Sequence, residues 1–200
     1  MAQDGENQEG WREKKRRETL RRITESALEL FVANGYEATT LDAIAEASGI
    51  SRRTFFHYFD TKEDILAAWQ AGLPEAFRRA ILAEVAGRSP FEVVSRAHLQ
   101  LVAHLDADQA LIIDQILRSN DQLRASNQSK YLLMEQAAFE ALSELWPEPS
   151  RREGLRVVAM ASVGALRLAI DGWAQERGRT PLVGHLRRAF ASLQDELSAN

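Results

Sequence analysis

The chain has 200 residues, 45% of them hydrophobic and 27% charged, with 25 Lys and Arg against 29 Asp and Glu, a formal net charge of -4 and no cysteine. That length buries a sizeable core as one large domain or a small domain joined to a larger one, and the missing cysteine excludes a disulfide framework, a thiolate metal site and a cysteine nucleophile. The start is acidic and polar (Asp4, Glu6, Glu9) with no apolar signal region, and the longest uncharged apolar run, Val157 to Leu166, is shorter than the ~20 residues that cross a bilayer, so a soluble, unexported, cytoplasmic protein with no membrane partner is expected.

Residues 11 to 22 concentrate Arg12, Lys14, Lys15, Arg16, Arg17, Arg21 and Arg22 against Glu13 and Glu18, whereas the first ten residues and the chain after Lys62 are net acidic. Such a run meets an anion such as nucleic acid, or is a solvated helix face or a basic tail. Leu20, Ile23, Ala27, Leu30 and Phe31 then recur at helical spacing up to Asn34-Gly35, where glycine supplies a left-handed stop. No segment sustains the strict apolar and polar alternation of a strand. The expected fold class is all-α, with about nine or ten helices.

Residues 40 to 59, Thr-Leu-Asp-Ala-Ile-Ala-Glu-Ala-Ser-Gly-Ile-Ser-Arg-Arg-Thr-Phe-Phe-His-Tyr-Phe, hold two short helical patterns around a glycine, the layout of a helix-turn-helix. Ala45 is small where two backbones approach, Gly49 accepts positive φ at the turn, and Ile50 is the apolar residue beyond it. Leu41, Ile44, Ala45 and Ser48 share the inward face of the first helix, with Thr40 as its cap, and Ser51 caps the second. At about 100° per residue, Phe55 and Phe59 lie inward, while Arg53, Thr54 and His57 lie outward. Phe56 and Tyr58 flank that outward face. Arg52 stands at the helix N-terminus, the end that enters the major groove in helix-turn-helix proteins. His57 has no second ligand at helical spacing, so a metal or catalytic role is not supported.

Further on, helices are expected near 62–72, 75–86, 108–119 and 121–146. Others start at about 90, 151 and 181, from the boxes Ser89-Pro90-Phe91-Glu92 and Ser150-Arg151-Arg152-Glu153 and from Thr180-Pro181. Residues 151 to 177 are apolar around most of the helix, and the last helix offers a seam at Leu182, Leu186, Phe190, Leu193 and Leu197. Two such helices pair with a second copy as a four-helix bundle, which makes Val163, Leu166, Ile170, Leu186, Phe190 and Leu193 the expected dimer interface. Arg167 and Asp171, four apart, suit an intrahelical ion pair or a register-setting pair at that interface. His98, His104, Asp106 and Asp108 make a poor metal set because the two histidines lie on different helix faces. No Gly-rich phosphate loop, His-Glu-x-x-His motif or Gly-x-Ser-x-Gly elbow occurs in the sequence, so neither an enzyme nor a cofactor is expected.

The order of a basic first helix, a threonine-capped second helix, Ala-x-x-x-Gly-Ile-Ser, and then Thr54-Phe-Phe-His-Tyr-Phe59 with Lys62-Glu63 resembles the TetR family of bacterial repressors over about residues 17 to 77. The resemblance implies a basic N-terminal arm over 1–16, a DNA-binding domain over 17–77 and a helical effector-binding and dimerisation domain over 78–200. It also implies a homodimer on a near-palindromic double-stranded operator. Arg52, Arg53 and Thr54 would face bases or phosphates, Phe56, His57 and Tyr58 the backbone or thymine methyls, and Thr40, Lys62 and the basic residues 12 to 17, including Arg16 and Arg17, phosphates. Phe56 departs from the tyrosine usual in the family and lacks its hydroxyl, so apolar contact with a base methyl is expected there, or core packing. The family architecture implies a cavity within about 62–146 for a small hydrophobic effector, with Trp69, His98, Gln115, Tyr131, Met134, Glu135 and Phe139 as candidate contacts beside the plain reading of core or surface. Residues 118–125 resemble a subgroup with acyl-CoA-like ligands, and drugs and natural products stay equally open. Control by a protein partner, activation instead of repression, or an all-helical small-molecule carrier or enzyme are the alternatives.

Overall fold

The computed structural model describes the backbone of residues 3–84, 87–103, 107–119 and 121–198, and side chains at 11, 14–84, 87–103, 107–119 and 121–196. Among these residues there is no strand. The helices are α1 (Gln3–Asn34), α2 (Leu41–Ala47), α3 (Arg52–Phe55), α4 (Lys62–Ala71), α5 (Leu73–Leu82), α6 (Pro90–Val102), α7 (Ala107–Arg118), α8 (Asp121–Leu145), α9 (Arg152–Gln175) and α10 (Leu182–Ser198), with a 3-10 turn at Pro149–Arg151 before α9. The chain divides into two compact units, Met1–Gln70 and Ala71–Asn200.

In the first unit Ile23, Ala27 and Phe31 of α1 are fully buried, as are Ile44 of α2, Phe55 of α3 and Ile65 and Leu66 of α4. The apolar spacing read from α1 is therefore the face that packs. α1 begins at Gln3 and so runs through residues assigned above to the basic arm. Gln, Glu, Lys and Arg are strong helix formers, and Lys15 lies 5.1 Å over the ring of Trp11 one turn earlier.

The second unit packs α5 on α8, α9 on α10 and α8, and α6 against α5, α9 and α10. Its core joins Phe77, Ile81, Val94, Ala138, Leu142, Ala159, Val163 and Leu186. The Ser89 box forms in full: Ser89 Oγ accepts from the Glu92 backbone N–H at 3.3 Å, and the Glu92 carboxylate accepts from the Ser89 N–H at 2.8 Å. Ser89→Ala is expected to cost about 1 kcal/mol of stability, read as a lowered urea midpoint with an unchanged slope. The second box does not form. A 3-10 turn at Pro149–Arg151 intervenes, and α9 begins at Arg152 without a side-chain cap. The Thr180 hydroxyl donates to the Glu176 carboxylate at 3.0 Å.

With its preceding turn, α9 is long and apolar enough to cross a membrane by length and composition, because only Arg167 and Asp171 interrupt the stretch after Val157. The expectation drawn from the uncharged run alone was too narrow. A core helix meets the same criterion, and here Leu155, Ala159, Val163, Leu166, Ala169 and Trp173 are buried within the unit.

The same packing places the residues of the expected dimer seam within the single chain. Val163, Leu166, Leu186 and Phe190 lie inside the protomer's own core, and Ile170 and Leu193 are half-buried. The seam on α10 is the one that packs against α9 of the same chain. What α9 leaves uncovered is the opposite side, Val157 at 60%, Met160 at 50% and Leu168 at 66% exposure, with exposed Gly164 between them. The Leu197 side chain lies outside the described residues, as do His104 and Asp106.

Candidate nucleic-acid interface

The two short helices of the first unit are set by caps that the local sequence supplies. Thr40 Oγ1 accepts from the Ala43 N–H at 3.1 Å and starts α2. Ser51 Oγ accepts from the Thr54 N–H at 3.2 Å and lies 2.8 Å from the Thr54 hydroxyl, starting α3. Gly49, at φ 64, turns the chain between them, and Ser48 closes α2 by donating its hydroxyl to the Ala45 carbonyl at 2.9 Å. The first four N–H groups at a helix start have no partner within the helix and need such partners or water.

The second helix is shorter than its sequence pattern suggests. After Phe55 the ladder tightens, with the His57 N–H on the Thr54 carbonyl and the Tyr58 N–H on the Phe55 carbonyl. The Phe59 N–H still reaches the Phe55 carbonyl at 3.1 Å. The inward pair survives: Phe55 is fully buried and Phe59 is 5% exposed, with ring centroids 6.2 Å apart. Arg53, Thr54, Phe56, His57 and Tyr58 line one open concave surface. Phe56 is exposed, which removes the core reading for it, although its edge meets Phe55 at 5.4 Å.

The two arginines are placed differently. Arg52 reaches back across the turn, its Nε 3.0 Å from Asp42 Oδ1 on α2, and its guanidinium lies 5.6 Å over Phe56. Arg53 is exposed and has neither ion pair nor hydrogen bond among the described residues. Lys62 is committed to a brace: its ammonium donates to the Tyr36 carbonyl at 2.6 Å and the Glu37 carbonyl at 3.4 Å, and lies 4.4 Å over the Tyr36 ring. Burial, and then the Glu63 carboxylate beside it, push the Tyr36 phenol above its ordinary value, so it stays neutral. Arg16 and Arg17 are exposed on α1.

Sequence reasoning missed Asp42, Tyr36 and the reciprocal cap of α4. In that cap the Asp64 N–H donates to Thr61 Oγ1 and the Thr61 N–H to Asp64 Oδ2, each at 3.1 Å. Thr61-x-x-Asp64 is a capping-box spacing and was legible; nothing local marked Asp42 as the partner of Arg52.

The effector candidates are scattered. His98, Tyr131, Met134 and Phe139 are buried in the second unit, Glu135 is half-buried, Gln115 is exposed, and Trp69 is half-buried on α4 in the first unit. His98 stacks on Phe77 with centroids 4.0 Å apart, and neither ring nitrogen has a hydrogen-bond partner. Burial pushes its pKa down to about 3.

The family described as "Bacterial regulatory proteins, tetR family" matches residues 23–69, which hold the last third of α1, the helix-turn-helix and most of α4. The chain is 41% identical over 91 residues to the HTH-type transcriptional regulator TcmR of Streptomyces glaucescens, spanning 46% of this chain and 40% of that protein's length. A crystal structure of a chain assigned to the TetR family of Syntrophomonas wolfei covers 92% of this chain and 100% of its own, with a TM-score of 0.68 at 15% identity. Thermus thermophilus FadR, described as a TetR-family transcriptional repressor in complex with lauroyl-CoA, covers 90% of this chain and 96% of its own, with a TM-score of 0.61 at 24% identity. At these identities the two structures speak to the fold alone. Residues 23–69 therefore match the DNA-binding segment of the TetR family of bacterial regulatory proteins, set in a helical fold that those structures share nearly from end to end.

Proposed function

We propose that the chain is a homodimeric, sequence-specific DNA-binding transcriptional regulator, a repressor released from a near-palindromic operator by a small hydrophobic effector. The observation that carries the reading is the α3 surface. Phe55 and Phe59 fix the helix to the domain, while Arg53, Thr54, Phe56, His57 and Tyr58 stand together uncovered. That face combines a free guanidinium for base edges or phosphates with aromatic edges for thymine methyls. Arg52, held by Asp42, takes a phosphate beside the groove. Thr40, Ser51 and the remaining donor of Lys62 position the backbone, and Arg16 and Arg17 on α1 add salt-dependent attraction.

The second unit supplies the dimer, through the exposed face of α9, and the effector site, around His98, Tyr131, Met134 and Phe139. The lauroyl-CoA of Thermus thermophilus FadR supports an effector with an apolar acyl portion held by this fold. An effector that prefers the dimer form unable to span two half-sites shifts the population away from DNA.

Selection from pooled random duplexes across a salt series tests the reading. The wild-type chain is expected to recover a palindrome. Arg53→Ala is expected to lose about 1–3 kcal/mol of discrimination at one symmetric position, and Lys62→Met to weaken all duplexes alike. Recovery of no motif, with binding gone at moderate salt, would overturn sequence reading by this face.

A further inference from the structure

A small polar cleft opens in the second unit between the end of α7, the first half of α8 and the outer part of α9. Arg118, Arg124, Gln128, Tyr131 and Arg167 line it, with Asn127 and Asp171. Its volume is about 110 Å³, a few times the ~30 Å³ share of one water in the liquid and well below the ~300 Å³ where drug-sized sites begin. It has room for one small charged group.

The charges around it do not balance. Arg118 bridges two carboxylates, Asp114 and Asp171, each at 2.8 Å. Arg124 pairs with Asp121 and donates to the Arg118 carbonyl at 3.1 Å. Lys130 donates to Asn127 Oδ1 at 2.7 Å and lies 4.2 Å over the Tyr131 ring. Because Asp171 is taken by Arg118 from α7, the pair with Arg167 expected from their spacing does not form. Arg167 rests 5.2 Å over the Tyr131 ring with no carboxylate partner among the described residues. Four cations thus meet three carboxylates, and of the two left without one, Lys130 and Arg167, Arg167 carries a planar fork of donors that suits an oxyanion.

We propose that this cleft binds a single oxyanion, a phosphoryl or carboxylate group, which Arg167 and Arg124 grip and the Gln128 amide and Tyr131 hydroxyl orient. Burial lowers the Lys130 pKa to about 8, and an anion lodged nearby favours its charged form, which adds to the attraction. The group is the head of the effector invoked above, so its regulatory meaning rests on that reading. Arg167 adjoins Leu168 on the uncovered face of α9, so filling the cleft acts directly beside the surface assigned to the dimer.

The test is isothermal titration of the full chain, without DNA, with inorganic phosphate, pyrophosphate and butyrate at constant ionic strength. Saturable binding of at least one anion is expected. Arg167→Gln should weaken it about tenfold or more, a loss of about 1.4 kcal/mol, and Arg167→Lys, which keeps the charge without the fork, should fall between. Arg156→Gln, an exposed α9 arginine bonded instead to Gln136, should bind like wild type. Preference for phosphate or pyrophosphate marks a phosphorylated effector, and preference for butyrate a carboxylic acid. No saturable binding at millimolar anion, or equal binding by wild type and Arg167→Gln at unchanged helicity, would overturn the proposal. Anion binding that persists in a protein unable to select DNA would overturn the regulator reading and leave the cleft standing.

Discussion

Leu168→Glu is expected to turn the proposed dimer into a monomer and to weaken binding to the proposed operator by at least about 100-fold, roughly 3 kcal/mol. Val157, Met160, Gly164 and Leu168 follow one another at steps of three, four and four along α9, so they form a single stripe. Three of them are exposed large apolar side chains, and glycine in their midst lets another helix approach closely. In a two-fold interface each residue is used twice, so one substitution places two carboxylates in a buried seam without partners, and a buried unpaired charge costs several kcal/mol. The position is solvent-exposed in the single chain, so the fold itself should tolerate the change. Sedimentation should report half the mass with unchanged helical circular dichroism. A Leu168→Glu protein that remains dimeric would move the interface off this face.

The second large effect concerns acid stability. His98 is fully buried, stacked on Phe77, with its pKa held near 3 by burial. An unfolded histidine titrates near 6.5. Between those two values the unfolded chain binds a proton that the folded chain refuses, so stability falls as pH drops from about 6.5 towards 3 and is unaffected by this group above that window. From pH 7 to pH 4 the loss amounts to roughly 3 kcal/mol. His98→Phe keeps a ring on Phe77 and removes both the titration and two unpartnered buried nitrogens. Urea unfolding at pH 7 and pH 4 should show the variant losing less stability than wild type by about that amount. Equal losses would mean that the ring nitrogens find partners and titrate in the folded state.

Much of the DNA-binding unit was legible because its determinants are local. Thr40 and Ser51 cap helices three residues ahead of the donors they satisfy, Gly49 answers a backbone requirement at its own position, and Phe55 and Phe59 share a face through a spacing of four. The short run of α3 was less legible, since the tightened turn at residues 56–58 keeps the same inward pair as a longer helix would.

The sequence by itself determined an all-helical chain, the helix-turn-helix with its caps and inward aromatics, and the Ser89 helix start. Each depends on residues within about one turn of one another, where periodicity and capping chemistry act directly. Only the tertiary structure decided which arginine is free and which face of α9 is covered. Arg52 is held because Asp42 stands across the turn, and Arg167 is left unpaired because Arg118 arrives from α7. An apolar helix can be buried on any side, and α10, α8 and α6 chose the side that carries Val163 and Leu166. Such choices hang on partners far away in the chain, which no local spacing encodes.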